Sequence, residues 1–195
     1  MARDRWSSRE PDIRALRRAR RLMRRDPAKA IKQYESLAGR GSTMSMFVIA
    51  EALRRGVVYS RDIGKSKEWY ETAIHHGSVH ALHGLAILYY KQGRYHLARE
   101  TFDQAAKVGF SPSINWLARL YYTGRGGPVD RPEAIALWER ASRLGNVWAK
   151  RNLGRALTAG QFGRIDRIRG LWLQLEAKVD RRLLRLTDRY DDRLG

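Results

Sequence analysis

Four histidines, His75, His76, His80 and His83, fall within nine residues and form the first group in this 195-residue chain that could hold a metal. Gly77 lies between the two pairs, so His75 and His76 close one helix while His80 and His83 open the next. Histidine near a helix C-terminus is favourable to the helix dipole with no ligand role. Carboxylates and cysteines are missing at supporting spacing, and zinc would want a fourth ligand and partners that orient the imidazoles. No metal or other cofactor is expected. The run Gly124–Arg125–Gly126–Gly127 invites comparison with a phosphate loop, yet no Gly-Lys-Ser/Thr follows it and no strand pattern precedes it. Asp62 and Asp130 occupy equivalent positions between helical segments, which points to turn and capping work rather than acid–base chemistry. The serines lie mostly in turns or at repeat positions and form no Gly-x-Ser-x-Gly elbow. The chain has no cysteine, which removes thiolate nucleophiles, disulfides and Cys-based zinc or iron–sulfur sites. The expectation is a protein that is not an enzyme.

Composition narrows the class of partner. The chain carries 39 Lys+Arg against 20 Asp+Glu, a formal charge of +19, and is 43% hydrophobic. That composition is globular rather than disordered. Its longest apolar stretch, Leu85–Tyr90, is far below the roughly 20 residues that cross a bilayer. Met1–Arg25 is dense with arginine and lacks the apolar core of a secretory signal, so the expected location is cytoplasmic. So basic a field favours acidic partners: nucleic acid, anionic lipid or an acidic protein segment. Arginine far outnumbers lysine. Guanidinium recognises phosphate and carboxylate bidentately, but a coding bias toward arginine would give the same count.

The elements that would position these residues come from a repeat. Gly41, Gly77, Gly109 and Gly145 anchor four segments. Four residues after each stands a small residue: Ser45, Ala81, Ser113, Ala149. Eight after stands an aliphatic one: Ile49, Leu85, Leu117, Leu153. Seven before each stands an aromatic: Tyr34, Tyr70, Phe102, Trp138. These offsets place one apolar stripe on each first helix. The small residues let a second helix, carrying the aromatic knob, approach closely. Each such pair buries its apolar face only by stacking on neighbours.

These residues resemble the Sel-1-like repeat family, relatives of the tetratricopeptide repeat. Gly124, Gly126, Asp130, Ala134, Trp138, Ala141 and Gly145 carry the resemblance in one segment, and Gly56, Asp62, Lys65, Trp69, Tyr70, Ala73 and Gly77 in another. Glu133 departs from the family's lysine, and the short linker Gly93–Leu97 is more like a tetratricopeptide turn. The resemblance implies an all-α, right-handed α-solenoid of about five antiparallel helix pairs and a protein–protein interaction scaffold. The expected organisation is a basic N-terminal arm with a degenerate leading helix (1–26), the repeat solenoid (27–160) and a C-terminal capping helix region (161–195). That last region begins as another short-linker unit with Trp172 expected near the aromatic position, and its helix runs on through Leu175, Val179, Leu183, Leu186 and Tyr190. A terminal cap, which presents a polar outer face, is the favoured role of that helix. The alternative is a partner-binding or membrane-surface helix, and the interleaved acids Glu176, Asp180, Asp188, Asp191 and Asp192 argue against anionic lipid.

The resemblance also implies which first-helix positions line the concave face. They are Phe47, Arg54 and Arg55; His80, His83, Tyr90 and Lys91; Asn115, Arg119 and Tyr122; and Trp148, Arg151 and Arg155. Glu51 is the single acid on that face. Basic groups interleaved with aromatics on a rigid wall suit an acidic protein segment or a terminal carboxylate as partner. The alternative is an RNA-associated protein that contacts phosphates through its arginines.

Overall fold

The computed structural model describes residues 10–159 and 163–191. Two compact units divide it, Met1–Gly93 and Arg94–Gly195. The first contains α1 (Ile13–Leu22), α2 (Pro27–Gly39), α3 (Thr43–Arg55), α4 (Ile63–His75) and α5 (Val79–Lys91). The second contains α6 (Tyr95–Lys107), α7 (Ser111–Thr123), α8 (Arg131–Arg143), α9 (Val147–Thr158) and α10 (Gly163–Asp191). Among the described residues there is no strand. Met1–Arg9, the start of the expected basic arm, lies outside the described residues.

The anchor glycines work as one device used four times. Gly77 has φ +82, a left-handed conformation that costs other residues energy. There its N–H donates to Ile74 O at 2.8 Å, and the Ser78 N–H donates to Ala73 O at 2.9 Å. That is the doubly bonded αL end of a helix. The Ser78 side chain then accepts from the Ala81 N–H and caps α5, so two residues end one helix and begin the next. Ser42 and Asn146 repeat the arrangement for α3 and α9. Phe110 stands at that place before α7 and makes no side-chain cap bond. Asp62 and Asp130 cap α4 and α8 by accepting from Lys65 N–H (2.9 Å) and Glu133 N–H (3.0 Å), which is the capping role their spacing predicts.

Packing follows the repeat. In the first unit Tyr34 and Tyr70 are buried against Ile31, Ile49 and Leu53. In the second, Phe102 and Trp138 are buried with Ile114, Leu120 and Leu153. Two polar ties add register. In the first unit Glu10 reaches the N-terminus of α3, accepting from Ser42 Oγ, Thr43 Oγ1 and the Met44 N–H. In the second, Arg140 on α8 donates to Ala106 O on α6 at 2.9 Å.

The last helix departs from expectation. The face of α10 that meets α9 is built from small residues: a Cβ on Gly154 would lie 2.7 Å from Gly170 O, and one on Gly170 would lie 2.7 Å from Gly154 O. Ala177 is fully buried one turn or two further on. Lys150 on α9 pins the seam, donating to Asp180 at 2.7 Å with Glu176 at 3.4 Å. Trp172 does not fill a buried aromatic position. It is 62% exposed, because the close glycine contact leaves no room for a large knob and turns the indole outward. The outer face of α10 is apolar, not the polar face of a cap. Side chains of Leu186 and Tyr190 lie outside the described residues.

Candidate functional site

All thirteen residues of the expected binding face sit on α3, α5, α7 or α9, and none is fully buried. Each unit gathers its share differently.

In the first unit the arginines are already engaged. Glu51 lies on α3 one turn ahead of Arg54 and Arg55. It accepts from Arg54 Nε at 2.9 Å and Nη2 at 2.7 Å, and from Arg55 Nε at 2.8 Å. The Tyr70 hydroxyl donates to it as well. Burial would raise the Glu51 carboxyl, but the hydrogen bonds from Arg54 and Tyr70 and the charges of Arg54 and Arg55 outweigh it and hold the group below its ordinary range. Burial, then the bond to Glu51, pushes the Tyr70 phenol well up. Phe47 packs between Tyr70 (6.2 Å) and His80 (5.9 Å). Burial pushes the His83 imidazole down to about 4, helped by His80 and opposed by Glu51, so it is neutral at pH 7. Farther along, a cavity of about 400 Å³ opens between Arg54, Arg55, Arg61 and Lys91, over Ile63 and Leu88. Arg55 and Lys91 end their helices, where a cation suits the dipole. Tyr90, also on α5, is half-buried.

In the second unit the arrangement is different. On α9, Trp148 is 54% exposed. Arg151 lies over its ring at 5.1 Å, and Arg181, from α10, lies over it at 5.6 Å, both cation–π distances. Arg155 stands one turn beyond Arg151. Burial, then the charges of Arg155 and Arg181, shifts the Arg151 guanidinium down from its ordinary value. Among the described residues neither Arg151 nor Arg155 forms a salt bridge with a carboxylate. Asn115 on α7 accepts from Asn152 Nδ2 on α9 at 3.0 Å, a bond that ties consecutive first helices. Arg119 lies over the Trp116 ring at 5.0 Å, and Tyr122 packs on Trp138 at 5.3 Å with Arg131 above it. The group that comes together is therefore Trp148, Arg151 and Arg155, joined by Arg181.

Arg181, Asn152 and Arg61 were not foreseen. Asn152 sits one residue past the offset expected to face the groove. Arg181 is brought in by the packing of α10 on α9, which no local spacing announces. The neutralisation of Arg54 and Arg55 did have a sequence signal, since Glu51 stands at the i,i+3 and i,i+4 spacings that pair charges on a helix.

The metal reading of the histidines finds no geometry: among the described residues no three His, Cys, Asp or Glu side chains gather as ligands. Nor, among the described residues, is any helix long and apolar enough to cross a membrane.

Stacked antiparallel helices joined by glycine turns define an all-α solenoid. Residues 43–78 and 111–146 each match the Sel1 repeat; such repeats are generally protein-interaction modules and non-enzymatic. Among curated proteins no sequence matches. Among solved structures, a Sel1 repeat protein from Oxalobacter formigenes is similar with a TM-score of 0.76 and 21% identity, over 85% of this chain and 71% of that one. The protective antigen c5321 of uropathogenic Escherichia coli, which displays an SLR fold, is similar at 0.65 and 23% identity, over 77% of this chain and 34% of its own. The chain thus spans about a third of that antigen. Immunity protein Pa5087 of Pseudomonas aeruginosa is similar at 0.61 and 19% identity, over 88% of this chain and 70% of its own. At these identities the likeness is one of fold.

Proposed function

We propose that this protein is a non-enzymatic scaffold that grips an acidic protein segment on the first-helix face of its second unit. The observation that carries the reading is the cluster of Arg151, Arg155 and Arg181 about the exposed Trp148. Like charges brought this close in partly dehydrated surroundings repel, and a carboxylate entering among them relieves the repulsion while gaining charge-assisted hydrogen bonds. Trp148 supplies an apolar floor that keeps water from those bonds. Asn115, held by Asn152, offers an adjacent polar contact. In the first unit Glu51 already satisfies Arg54 and Arg55, so the corresponding face there offers no comparable cluster of guanidinium forks.

The test is fluorescence anisotropy with a labelled glutamate- and aspartate-rich peptide against the full chain. Arg151→Glu/Arg155→Glu should weaken binding at least tenfold with an unchanged melting temperature. Arg143→Glu, on the exposed side of α8, should leave it alone. A single-stranded RNA of matched charge serves as competitor. If the RNA binds more tightly, with a salt slope that flattens when residues 1–25 are removed, the partner is nucleic acid and the reading falls.

A further inference from the structure

The outward face of α10 calls for a partner of another kind. Ile165, Ile168, Trp172, Leu175 and Val179 recur at alternating spacings of three and four, with Leu171 and Leu183 on the flanks, and each exposes more than half of its surface. At 100° per residue these seven fall within about 120° of the helix circumference. Gly170 and Ala177, which meet α9, lie on the opposite side. The stripe is therefore not the edge of the core. It is a second, separate apolar face, with the spacing of a coiled-coil seam.

We propose that α10 docks against α10 of a second copy of this chain, antiparallel, about a two-fold axis passing between Trp172 and Leu175. Area, register and charge support that occupant. Seven side chains of this size, more than half exposed, offer on the order of 800 Å² of apolar surface, close to what each partner contributes to a standard interface. Antiparallel pairing about this axis sets Trp172 against Leu175 of the second copy and Ile168 against its Val179, and each contact recurs by symmetry. An isologous interface requires that self-complementarity. At the ends Arg182 covers Ile165 with its aliphatic stem and keeps its head in water.

The flanks match as well. Arg169 and Glu176 stand seven residues apart on the same edge of the stripe. They are 52% and 42% exposed even though Arg169 contacts Glu139 and Glu176 contacts Lys150. The two-fold brings Arg169 of each copy beside Glu176 of the other, an opposite-charge pairing that the symmetry doubles.

The chain's net charge of +19 opposes self-association. Residues 165–184 of α10 hold five basic and three acidic side chains, so the interface itself is nearly balanced and the repulsion comes from elsewhere. Salt screens that long-range term and leaves apolar contact in place. The dimer should thus tighten as salt rises, the reverse of what the acidic peptide should do at Arg151 and Arg155.

Sedimentation velocity of the full chain from 5 to 200 µM, at low and at moderate salt, reads this directly. The expected result is a monomer–dimer equilibrium that shifts toward dimer with salt. Trp172→Glu/Leu175→Glu should weaken it at least roughly 30-fold with no change in helicity. Arg169→Glu should weaken it several-fold, and adding Glu176→Arg should restore it. The chain lacks cysteine, so orientation can be read cleanly. Ile168→Cys/Val179→Cys should cross-link two copies, and Ile168→Cys alone should not, because antiparallel pairing holds the two 168 positions about 16 Å apart along the helix. A chain that stays monomeric throughout overturns the proposal, and so does a dimer that survives Trp172→Glu/Leu175→Glu. Efficient cross-linking of Ile168→Cys alone overturns the antiparallel register. A monomer that pellets with anionic vesicles through Trp172 assigns the stripe to lipid instead.

Discussion

Replacing Glu51 with alanine removes the one carboxylate that serves Arg54, Arg55 and Tyr70 at once. Arg54 has only 9% of its side chain exposed and Glu51 17%, and both guanidinium contacts run 2.7–2.9 Å. Loss of one partner of a largely buried pair leaves the other charge dehydrated and uncompensated, at roughly 3–5 kcal/mol. The Tyr70 hydroxyl loses its acceptor in the same step. Glu51→Gln keeps one acceptor oxygen and should cost about half as much. Arg55 contacts the same carboxylate, but its side chain is 63% exposed, so Arg55→Ala should cost under about 1 kcal/mol. The double variant Glu51→Ala/Arg54→Ala should cost well under the sum of the singles, with a coupling of roughly 1–3 kcal/mol. Urea melts at pH 7.5, followed by far-ultraviolet dichroism, measure these four and the single Arg54→Ala that closes the cycle; the loss should fall in the transition that reports the first unit. If Glu51→Ala and Arg55→Ala cost the same small amount, the carboxylate is an ordinary surface ion, and Arg54 and Arg55 are as available to a ligand as the sequence suggests.

Trp138→Ala should cost roughly 3–5 kcal/mol by emptying a buried position between helices, whereas Trp148→Ala, half-exposed, should cost far less stability but weaken acidic-peptide binding; equal melting losses would place both residues wrongly. His83 supplies a pH signature. Its folded value of about 4 lies below the ordinary 6.5, so between those limits the unfolded chain binds a proton the folded chain refuses, and stability rises with pH. Acidification from pH 7.5 to 4.5 should therefore remove roughly 2–3 kcal/mol through this residue, and His83→Gln should show a correspondingly flatter melting temperature over that range; an identical slope in both proteins refutes the buried neutral imidazole.

The repeat was readable because the same physical problem is solved four times with the same residues. A helix must end, turn and restart within two residues, and glycine does this cheaply, followed in three of the four turns by a capping side chain. The positions of Gly41, Gly77, Gly109 and Gly145 therefore marked the helix boundaries, and the aromatic knobs Tyr34, Tyr70, Phe102 and Trp138 proved buried because they are tied to that turn. The C-terminal helix was less readable. An amphipathic pattern shows that a helix has an apolar face and says nothing of whether that face turns inward. The missing clue was on the other side of the helix, where Gly170 and Ala177 are small enough for a neighbour's backbone. For the candidate site, the interleaving of arginine and aromatic on α9 was visible, but Arg181 reached Trp148 only through tertiary packing. Glu51 shows the converse: an i,i+3 pair visible in the sequence removes two arginines from the set of free ligand-binding groups.

The contact between Gly154 and Gly170 sets the rotation of α10 about its own axis. A methyl group on either glycine would meet the opposing carbonyl oxygen at 2.7 Å, and the helix would have to slide or roll to relieve it. Every outward side chain would remain in place on the helix yet aim elsewhere. In a genetic screen for loss of self-association, Gly154→Ala and Gly170→Ala should therefore be recovered beside Trp172 and Leu175, although neither glycine touches the second copy. Selection acting on such an assembly would leave its record at positions hidden from the assembly itself.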